Sequence, residues 1–438
     1  MRDYILIGFI VASLPIGLLR PYYGLLVYAW VSYMYPHLLT WGFAQTFPVG
    51  KLSAISAIVG TVIRQAGDTA PLRQRESILL LLFFFTFTFS GFFAFYPADA
   101  WAKWQDVTKI VAMAFVAATL LTDQRKLKIF LLVVAFSLGF YGFKGGIFSF
   151  MTGGEYLVWG PGSSVIGANN SIGLALNMCL PVFWYLAKQE TGLVKRALQA
   201  TFLLSMPAIL FTYSRASALT LPIVLLAMLF KGKHRFLGVA VILIGVTLAI
   251  PFVPDRWWSR QQTTLEYEAD TSAMSRIDNW KFCWSLAVDR PLTGGGFEFS
   301  GRETFFKYAP QFLETYGKEF NSHNVFFSVL AAHGFPGLFF FSAMLLSTLA
   351  SCWQMKRAVR NRPDLAWIAG YCDMIQISLL GFAVNGIFVN MEYFDLVYHW
   401  VAVVCSLKVI CSRELQPVEA EATEPDFEFV PVTEGTYV

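Results

Sequence analysis

The chain reads as an all-α polytopic membrane protein of about twelve transmembrane helices, with one large helical loop on the far side of the membrane. Three observations predict this. Hydrophobic residues make up 56% of the chain and charged ones only 14%. The mean hydropathy is +0.54, outside the range of soluble globular domains. Apolar runs long enough to span hydrocarbon recur along the sequence, and clusters of Lys and Arg punctuate every second connection between them.

The first 36 residues hold two shorter runs, 4–19 and 22–35, parted by Arg20-Pro21. No cleavable signal pattern is convincing there, so both are read as retained. Further runs lie at 50–65, 77–97, 106–122, 128–150, 170–188, 196–213, 216–230 and 236–252, which makes 1–252 an N-terminal transmembrane bundle. A polar segment, 253–322, then interrupts the pattern. Runs at 324–351, 366–390 and 394–411 form a C-terminal set of transmembrane helices within 323–411. Residues 412–438 carry seven acidic residues, from Glu414 to Glu434, with several prolines, and are expected to be a disordered acidic cytoplasmic tail.

The net charge of +4 matters less than its distribution. Arg73 and Arg75; Arg125, Lys126 and Lys128; Lys195 and Arg196; Lys231, Lys233, His234 and Arg235; and Lys356, Arg357, Arg360 and Arg362 sit in short connections on one side. Cationic loops face the cytoplasm, so the intervening connections and the long loop face outward. Two full spans before residue 37 would put the N-terminus outside. One span, or two half-length helices, would put it inside, and an inside N-terminus is the expectation. The six cysteines show no disulfide or zinc spacing. There is no Walker loop or dinucleotide fingerprint, which argues against ATP-driven transport, and no nucleic-acid partner is expected.

Within the loop, Ile277, Trp280, Trp284 and Val288 recur at helical spacing, with Ser275 placed to cap the start. An amphipathic helix lying on the membrane is expected over 275–290, its tryptophans serving as interfacial anchors. Pro291-Leu-Thr-Gly-Gly-Gly296 should end it in a flexible turn, and a second helix is expected over 301–316. Arg276 stands in the first turn, where a cation opposes the helix dipole.

Positive charge on the outward side is the next clue. Lys144 lies near the outer end of its span, and Arg215 sits in the hairpin Thr212-Tyr-Ser-Arg-Ala-Ser217 between two apolar runs. An arginine so placed is costly unless paired or solvated, which makes it a functional candidate. The alternatives are a salt bridge to Glu392, Asp395 or Asp373, or snorkelling to lipid headgroups. Lys144, Arg215 and Arg276 together suit a pyrophosphate, because guanidinium forks match phosphate oxygens. Gly160-Pro-Gly-Ser-Ser-Val-Ile-Gly-Ala-Asn-Asn170 could add backbone donors, though tight packing explains its glycines as well.

Of the five histidines, only His323, in Ser322-His323-Asn324, is expected at the outer rim beside polar neighbours. It is the candidate general base; capping of the following helix with Asn324 is the competing reading. His37, His333 and His399 are read as packing or interfacial residues. Glu266-Tyr-Glu268-Ala-Asp270 is the one acidic cluster in the loop with ligands for a divalent cation, but no metal or other cofactor is expected.

The Thr-Tyr-Ser-Arg-Ala-Ser hairpin, the Arg276, Trp280 and Pro291-Leu-Thr-Gly-Gly-Gly run, and Ser322-His323-Asn324-Val-Phe-Phe followed by His-Gly-Phe-Pro-Gly337 resemble the O-antigen ligase and polymerase superfamily of bacterial envelope enzymes. The opening, through Tyr33-Met-Tyr-Pro-His-Leu-Leu-Thr-Trp-Gly42, is similar to a branch described as O-glycosylation ligases. The resemblance implies a multi-pass inner-membrane glycosyltransferase with its active site facing the periplasm. It would be metal-independent and inverting, and would use a glycan on undecaprenyl pyrophosphate as donor and a sugar hydroxyl of lipid A-core as acceptor. By motif match His323 would be the base, and Arg215 and Arg276 would hold the pyrophosphate. Lys144, Tyr213, Asn170 and Asn324 join them as substrate-binding candidates from sidedness. An O-antigen polymerase or a protein O-glycosylation ligase would use the same donor. A flippase or exporter of lipid-linked sugar is the rival of another class; it predicts charge along the whole transport route.

Overall fold

The computed structural model describes residues 1–231 and 271–416. The expected span at 236–252, the Lys233-His234-Arg235 cluster, the acidic stretch at 266–270 and the tail beyond 416 lie outside the described residues. Within them every long element is helical. The N-terminal bundle comprises α1 (Arg2–Leu19), α2 (Pro21–Met34), α3 (Val49–Arg64), α4 (Arg75–Gly91), α5 (Pro97–Leu120), α6 (Gln124–Met151), α7 (Asn169–Ala187), α8 (Gly192–Leu210) and α9 (Arg215–Phe230). Three polar-loop helices follow, α10 (Thr271–Asp289), α11 (Arg302–Tyr308) and α12 (Pro310–Tyr316), and then α13 (Val325–Ala358), α14 (Ala366–Gly386) and α15 (Asp395–Leu415).

Seven of these, α1, α6, α7, α8, α13, α14 with its lead-in turn, and α15, are long and apolar enough to cross a membrane. The helices α3 and α9 have 16 residues each, about 24 Å at 1.5 Å per residue and short of a ~30 Å hydrocarbon core. Among the described residues the expected dozen spans is thus met at full length by seven, with the shorter α2, α3, α4 and α9 and the 24-residue but more charged α5 beside them.

The basic connections share one end of the bundle. Tyr22 Oη donates to the Lys126 carbonyl at 2.8 Å, Lys128 meets Glu190 at 3.0 Å, and Asp373 receives both Lys231 and Lys356. At the same end Arg413 pairs with Asp68 at 2.6 Å. The turn at Arg20-Pro21 lies here beside Lys126, so Met1 is at the opposite end, where Asp3 accepts from the Ala44 amide at 3.1 Å. This corrects the expected N-terminal orientation. Proline at the first position of α2 reverses the chain, and the two short runs form antiparallel helices of 18 and 14 residues, where one span or two half-length helices were expected. Deeper in, the fully buried Glu76 accepts from Ser347 and Ser351 at 2.6 Å each and from Lys408 at 2.8 Å. Those bonds tie α4 to α13 and α15 and satisfy a carboxylate that would otherwise be costly inside the bundle.

Further corrections concern the loop. Ser275 is buried within α10 and does not cap it, since the helix starts at Thr271. The expected helix over 301–316 is two helices broken at Ala309-Pro310, because proline lacks an amide hydrogen and disfavours helical backbone in the residue before it. Besides the stripe expected to lie on the membrane, α10 has a second apolar face, which it buries in the protein. Phe282, Cys283 and Leu286 pack with Phe299, Phe305, Phe312, Ala331 and Ala332, while Trp284 and Val288 remain exposed.

The turn at 291–296 is fastened to α13. That helix breaks at Gly334 (φ 67°, ψ −168°), which would strand the carbonyls of the preceding turn in the membrane. The amides of Gly295 and Gly296 donate to the Ala331 and Ala332 carbonyls at 2.8 Å each, and the Phe335 amide donates to the Pro291 carbonyl at 2.8 Å. Glycine is required here: a Cβ on Gly294 (φ +57°) would stand 2.4 Å from the Ala331 oxygen.

Candidate active site

The site grows from the junction where α10 meets the start of α13. Asn279 Nδ2 donates to the Phe320 carbonyl at 2.5 Å and Trp280 Nε1 to the Ser322 carbonyl at 2.9 Å. The Trp280 ring stacks on Phe327, with centroids 5.6 Å apart and an interplanar angle of 8°. Trp280 therefore positions the segment carrying His323, beyond any role as an interfacial anchor. Asn324 caps α13, its Oδ1 accepting from the Phe326 and Phe327 amides at 2.9 and 3.1 Å. Asn390 clamps the same turn from the α14–α15 connection: its Oδ1 accepts from the Asn324 amide at 3.2 Å and from Ser322 Oγ at 3.3 Å.

His323 holds a left-handed backbone (φ +46°) immediately before that cap. A non-glycine residue in this region stores strain, and such strain concentrates at functional sites. Burial, and next the positive charge of Arg276, hold its imidazole below the usual 6.5. The structure thus brings His323 and Arg276 into one electrostatic environment.

Arg215 opens α9 after the cap residue Ser214, whose side chain accepts from the Ser217 amide at 3.3 Å. Tyr213, also left-handed (φ +56°), donates its hydroxyl to the Gly154 carbonyl at 2.7 Å. The hairpin is further held by Asn169, which donates to the Thr212 carbonyl at 2.9 Å. Asn170, next in α7, is half-buried beside that contact. The glycine-rich segment spends amides on itself, Gly160 donating to Gly167 at 3.1 Å and Gly167 to Ser164 at 3.0 Å.

Adjacent residues near the end of α14 link the hairpin to the histidine junction. Asn385 Nδ2 donates to Ser217 Oγ at 3.1 Å, and a Cβ on Gly386 would lie 3.0 Å from the Val325 side chain. Arg215 precedes Ser217 by two residues and His323 precedes Val325 by two, so both candidates converge on one turn of α14. Lys144 stands away from these contacts: it is exposed on α6, 6.0 Å from the centre of the Phe140 ring, with Phe143 exposed beside it. That is the disposition of a snorkelling lysine.

A cavity of about 550 Å³ opens at the same end, lined among others by His37, Lys51, Lys103, Lys109, Glu298, Asn321, Ser322 and Glu392. His323 is not a lining residue, though its neighbour Ser322 is. His37 does line it, which corrects the expectation that His323 alone occupies this rim. His37 follows the end of α2, and the antiparallel α1–α2 hairpin carries it there. His333 fits the packing reading, with ring nitrogens 2.6 Å from Ser90 Oγ and 2.5 Å from Tyr393 Oη. The six cysteines are free and buried.

Asn385 and Asn390 were not legible as site residues. The available signal was two amides in an otherwise apolar run, where each buried polar group demands a partner. The acids proposed as partners for the outward cations have other attachments as well. Asp373 binds the lysines at the basic end, Asp395 accepts from Tyr28 at 2.8 Å and Glu392 from Ser328 at 2.6 Å.

Residues 1–191 match a family of unknown function (DUF5935), and residues 200–342 match the family model described as O-Antigen ligase. No curated protein matches the chain. The second match contains Arg215, Arg276 and His323, whereas His37 and the cavity lysines fall in the first. The match over residues 200–342 supports the O-antigen ligase superfamily for that part of the chain, which, with seven helices long and apolar enough to cross a membrane among the described residues, is consistent with a multi-pass membrane protein.

Proposed function

We propose that the protein transfers a glycan from undecaprenyl pyrophosphate to a sugar hydroxyl of lipid A-core at the periplasmic face of the bacterial inner membrane. The supporting observation is the His323–Arg276 pair, held by α10 and the α13 cap inside the matched domain, with the Arg215 hairpin converging on the same turn of α14. His323 takes the proton of the acceptor hydroxyl. The oxygen attacks the anomeric carbon from the face opposite the leaving group, the carbon–oxygen bond to pyrophosphate breaks, and undecaprenyl pyrophosphate departs with the electron pair. The anomeric configuration inverts.

Arg215 and Arg276 hold the pyrophosphate and offset the charge it gains. Guanidinium forks suit this task because they stay charged and bind phosphate oxygens in pairs. Tyr213, Asn170 and Asn324 support the site at the starts of α9, α7 and α13, and Lys144 meets the lipid-phosphate side. The energy for transfer is stored in the donor's glycosyl–pyrophosphate linkage, whose leaving group is already good, so the reaction requires neither nucleotide nor metal.

The test is transfer in proteoliposomes with purified lipid-linked donor and lipid A-core, scored by the mobility of the acceptor. His323→Ala should bind donor as the parent does, yet transfer about 10²-fold or more slowly. His323→Gln, which can hydrogen-bond but cannot take the proton at neutral pH, should be nearly as impaired. His37→Ala is the comparator. Near-parental turnover in His323→Gln, or a larger loss in His37→Ala, would move the base elsewhere.

A further inference from the structure

The α14–α15 connection places an acid in the outer cavity that the transfer mechanism leaves unused. Glu392 lines the cavity and is 8% exposed. One carboxylate oxygen accepts from Ser328 Oγ at 2.6 Å; the other is buried with no hydrogen-bond partner. A buried carboxylate oxygen left unmatched is costly, and such atoms mark places where a partner is missing. Nor is it alone. His37 Nδ1 is also unpartnered, and Tyr35, Ser163 and Glu298, three of the chain's left-handed non-glycine residues, line the same space.

The charge balance says what kind of ligand fits. Each lysine at the cavity is already near a carboxylate: Lys51 and Lys109 lie 4.0 and 3.7 Å from Asp106, and Lys103 lies 3.7 Å from Glu298. With Glu392 added, the cavity holds no surplus positive charge to attract a phosphate. It offers hydrogen-bond acceptors and apolar rings, Phe297, Phe299 and Tyr393 among its lining. That combination suits a sugar, whose hydroxyls donate to acids and whose C–H faces rest on aromatic rings. Its volume, about 550 Å³, is within the roughly 300–1,000 Å³ of ligand pockets.

Glu392 is also joined to the proposed catalytic junction. Ser328 lies one turn below Asn324 in α13, and Asn390, two residues before Glu392, binds both Ser322 and Asn324. We infer that this cavity is a saccharide subsite in which Glu392 accepts a hydrogen bond from a sugar hydroxyl, fixing the ring relative to the segment that carries His323. The inference rests on the glycan-transfer reading above. The sugar belongs to the acceptor core or to the donor glycan, which present the same hydroxyl chemistry. Burial holds the Glu392 carboxyl above the usual carboxylate range, so the charge of the isolated acid is in part regained when a hydroxyl donates to it.

The experiment has two arms. In the transfer assay, each substrate is varied with the other saturating. Glu392→Gln should raise one KM about tenfold, as expected for loss of a hydrogen bond to a charged group, with kcat near parental. Ser328→Ala should raise the same KM a fewfold. A rise in the acceptor KM assigns the sugar to lipid A-core, and a rise in the donor KM assigns it to the lipid-linked glycan. Unchanged KM values for both substrates in both variants would overturn the subsite. The second arm needs no turnover. A thiol introduced by Ser163→Cys at the cavity edge should label more slowly in the presence of core oligosaccharide freed of lipid, or of the donor glycan freed of its carrier, and Glu392→Ala should abolish that protection. Protection without transfer by the parent would keep the subsite and refute the transferase reading; transfer without protection or KM change would do the reverse.

Discussion

Replacing Trp280 by phenylalanine separates two roles that the sequence could not distinguish. The change removes the Nε1–H that donates to the Ser322 carbonyl at 2.9 Å and keeps an aromatic ring to stack on Phe327. A typical intramolecular hydrogen bond contributes about 1 kcal/mol net, about a fivefold change in the population of the docked segment. Trp280→Phe should therefore lower kcat several-fold with protein insertion unaffected. Trp280→Ala also loses the stack, a further ~0.5–1.5 kcal/mol, and leaves a hole beneath the segment, so its loss should be at least tenfold larger. A pH profile adds a readout that membrane anchoring would not move. As the docked segment loosens, His323 moves away from Arg276 and into water, and the acid limb of activity should shift upward. If both variants transfer sugar at the parental rate with the parental pH profile, Trp280 is an interfacial anchor and the junction does not depend on it.

Three further outcomes are expected. Activity should rise with pH through a value below 6.5, since burial and Arg276 disfavour the imidazolium and a base must be neutral; Arg276→Gln should move that limb upward in whatever activity remains, while Arg276→Lys should hold it near the parental position, as a titration of kcat/KM from pH 4.5 to 8 would show. Gly294→Ala should lower thermal stability in detergent by more than Gly153→Ala, because both adopt a left-handed backbone but only Gly294 faces a backbone oxygen at 2.4 Å; the φ penalty common to both is about 1–3 kcal/mol. Cysteine at Ser300 should react with a membrane-impermeant thiol reagent in intact spheroplasts and cysteine at Ser412 should not; labelling at Ser412 would reverse the assigned orientation.

Much of the architecture was legible because its signals are additive. Apolar runs located each described bundle helix, though α5 starts well before its run, at Pro97 where Asp99, Lys103 and Asp106 dilute the apolar signal, and the basic clusters fell at one end of the structure, as lysine and arginine in alternate connections require. The N-terminal hairpin was less legible because two runs of marginal length fit either a pair of helices or one crossing, and only the contact of Tyr22 with the Lys126 carbonyl decides between them. In the loop, helical spacing found α10 and its outward stripe of Trp284 and Val288, but not the second face that it buries. Periodicity reports where apolar residues lie, while burial is decided by partners such as Phe299 and Phe305, which are distant in sequence. At the site, residue chemistry singled out His323 and Arg276, which the fold brings together. Asn390 and Asn385 escaped because a lone amide has meaning only through what it binds. The cavity escaped for the same reason: it draws on α2, α3, α5 and the α14–α15 connection, and no local pattern joins them.

The fastening of Gly295 and Gly296 to the broken turn of α13 also constrains the order in which the protein can be made. Residues 271–320 leave the ribosome before the helix whose carbonyls they must meet, so the polar loop waits, with its own amides unmatched, until the chain beyond residue 336 has entered the membrane. A nascent chain stopped at residue 322 contains the whole loop and lacks Ala331, Ala332 and Phe335. Its glycine amides should exchange with solvent freely, and the loop should be cut readily by added protease. Extension by one further helix should protect it. Maturation of the site thus follows insertion of α13, and an enzyme caught partway through synthesis is inactive before any substrate reaches it.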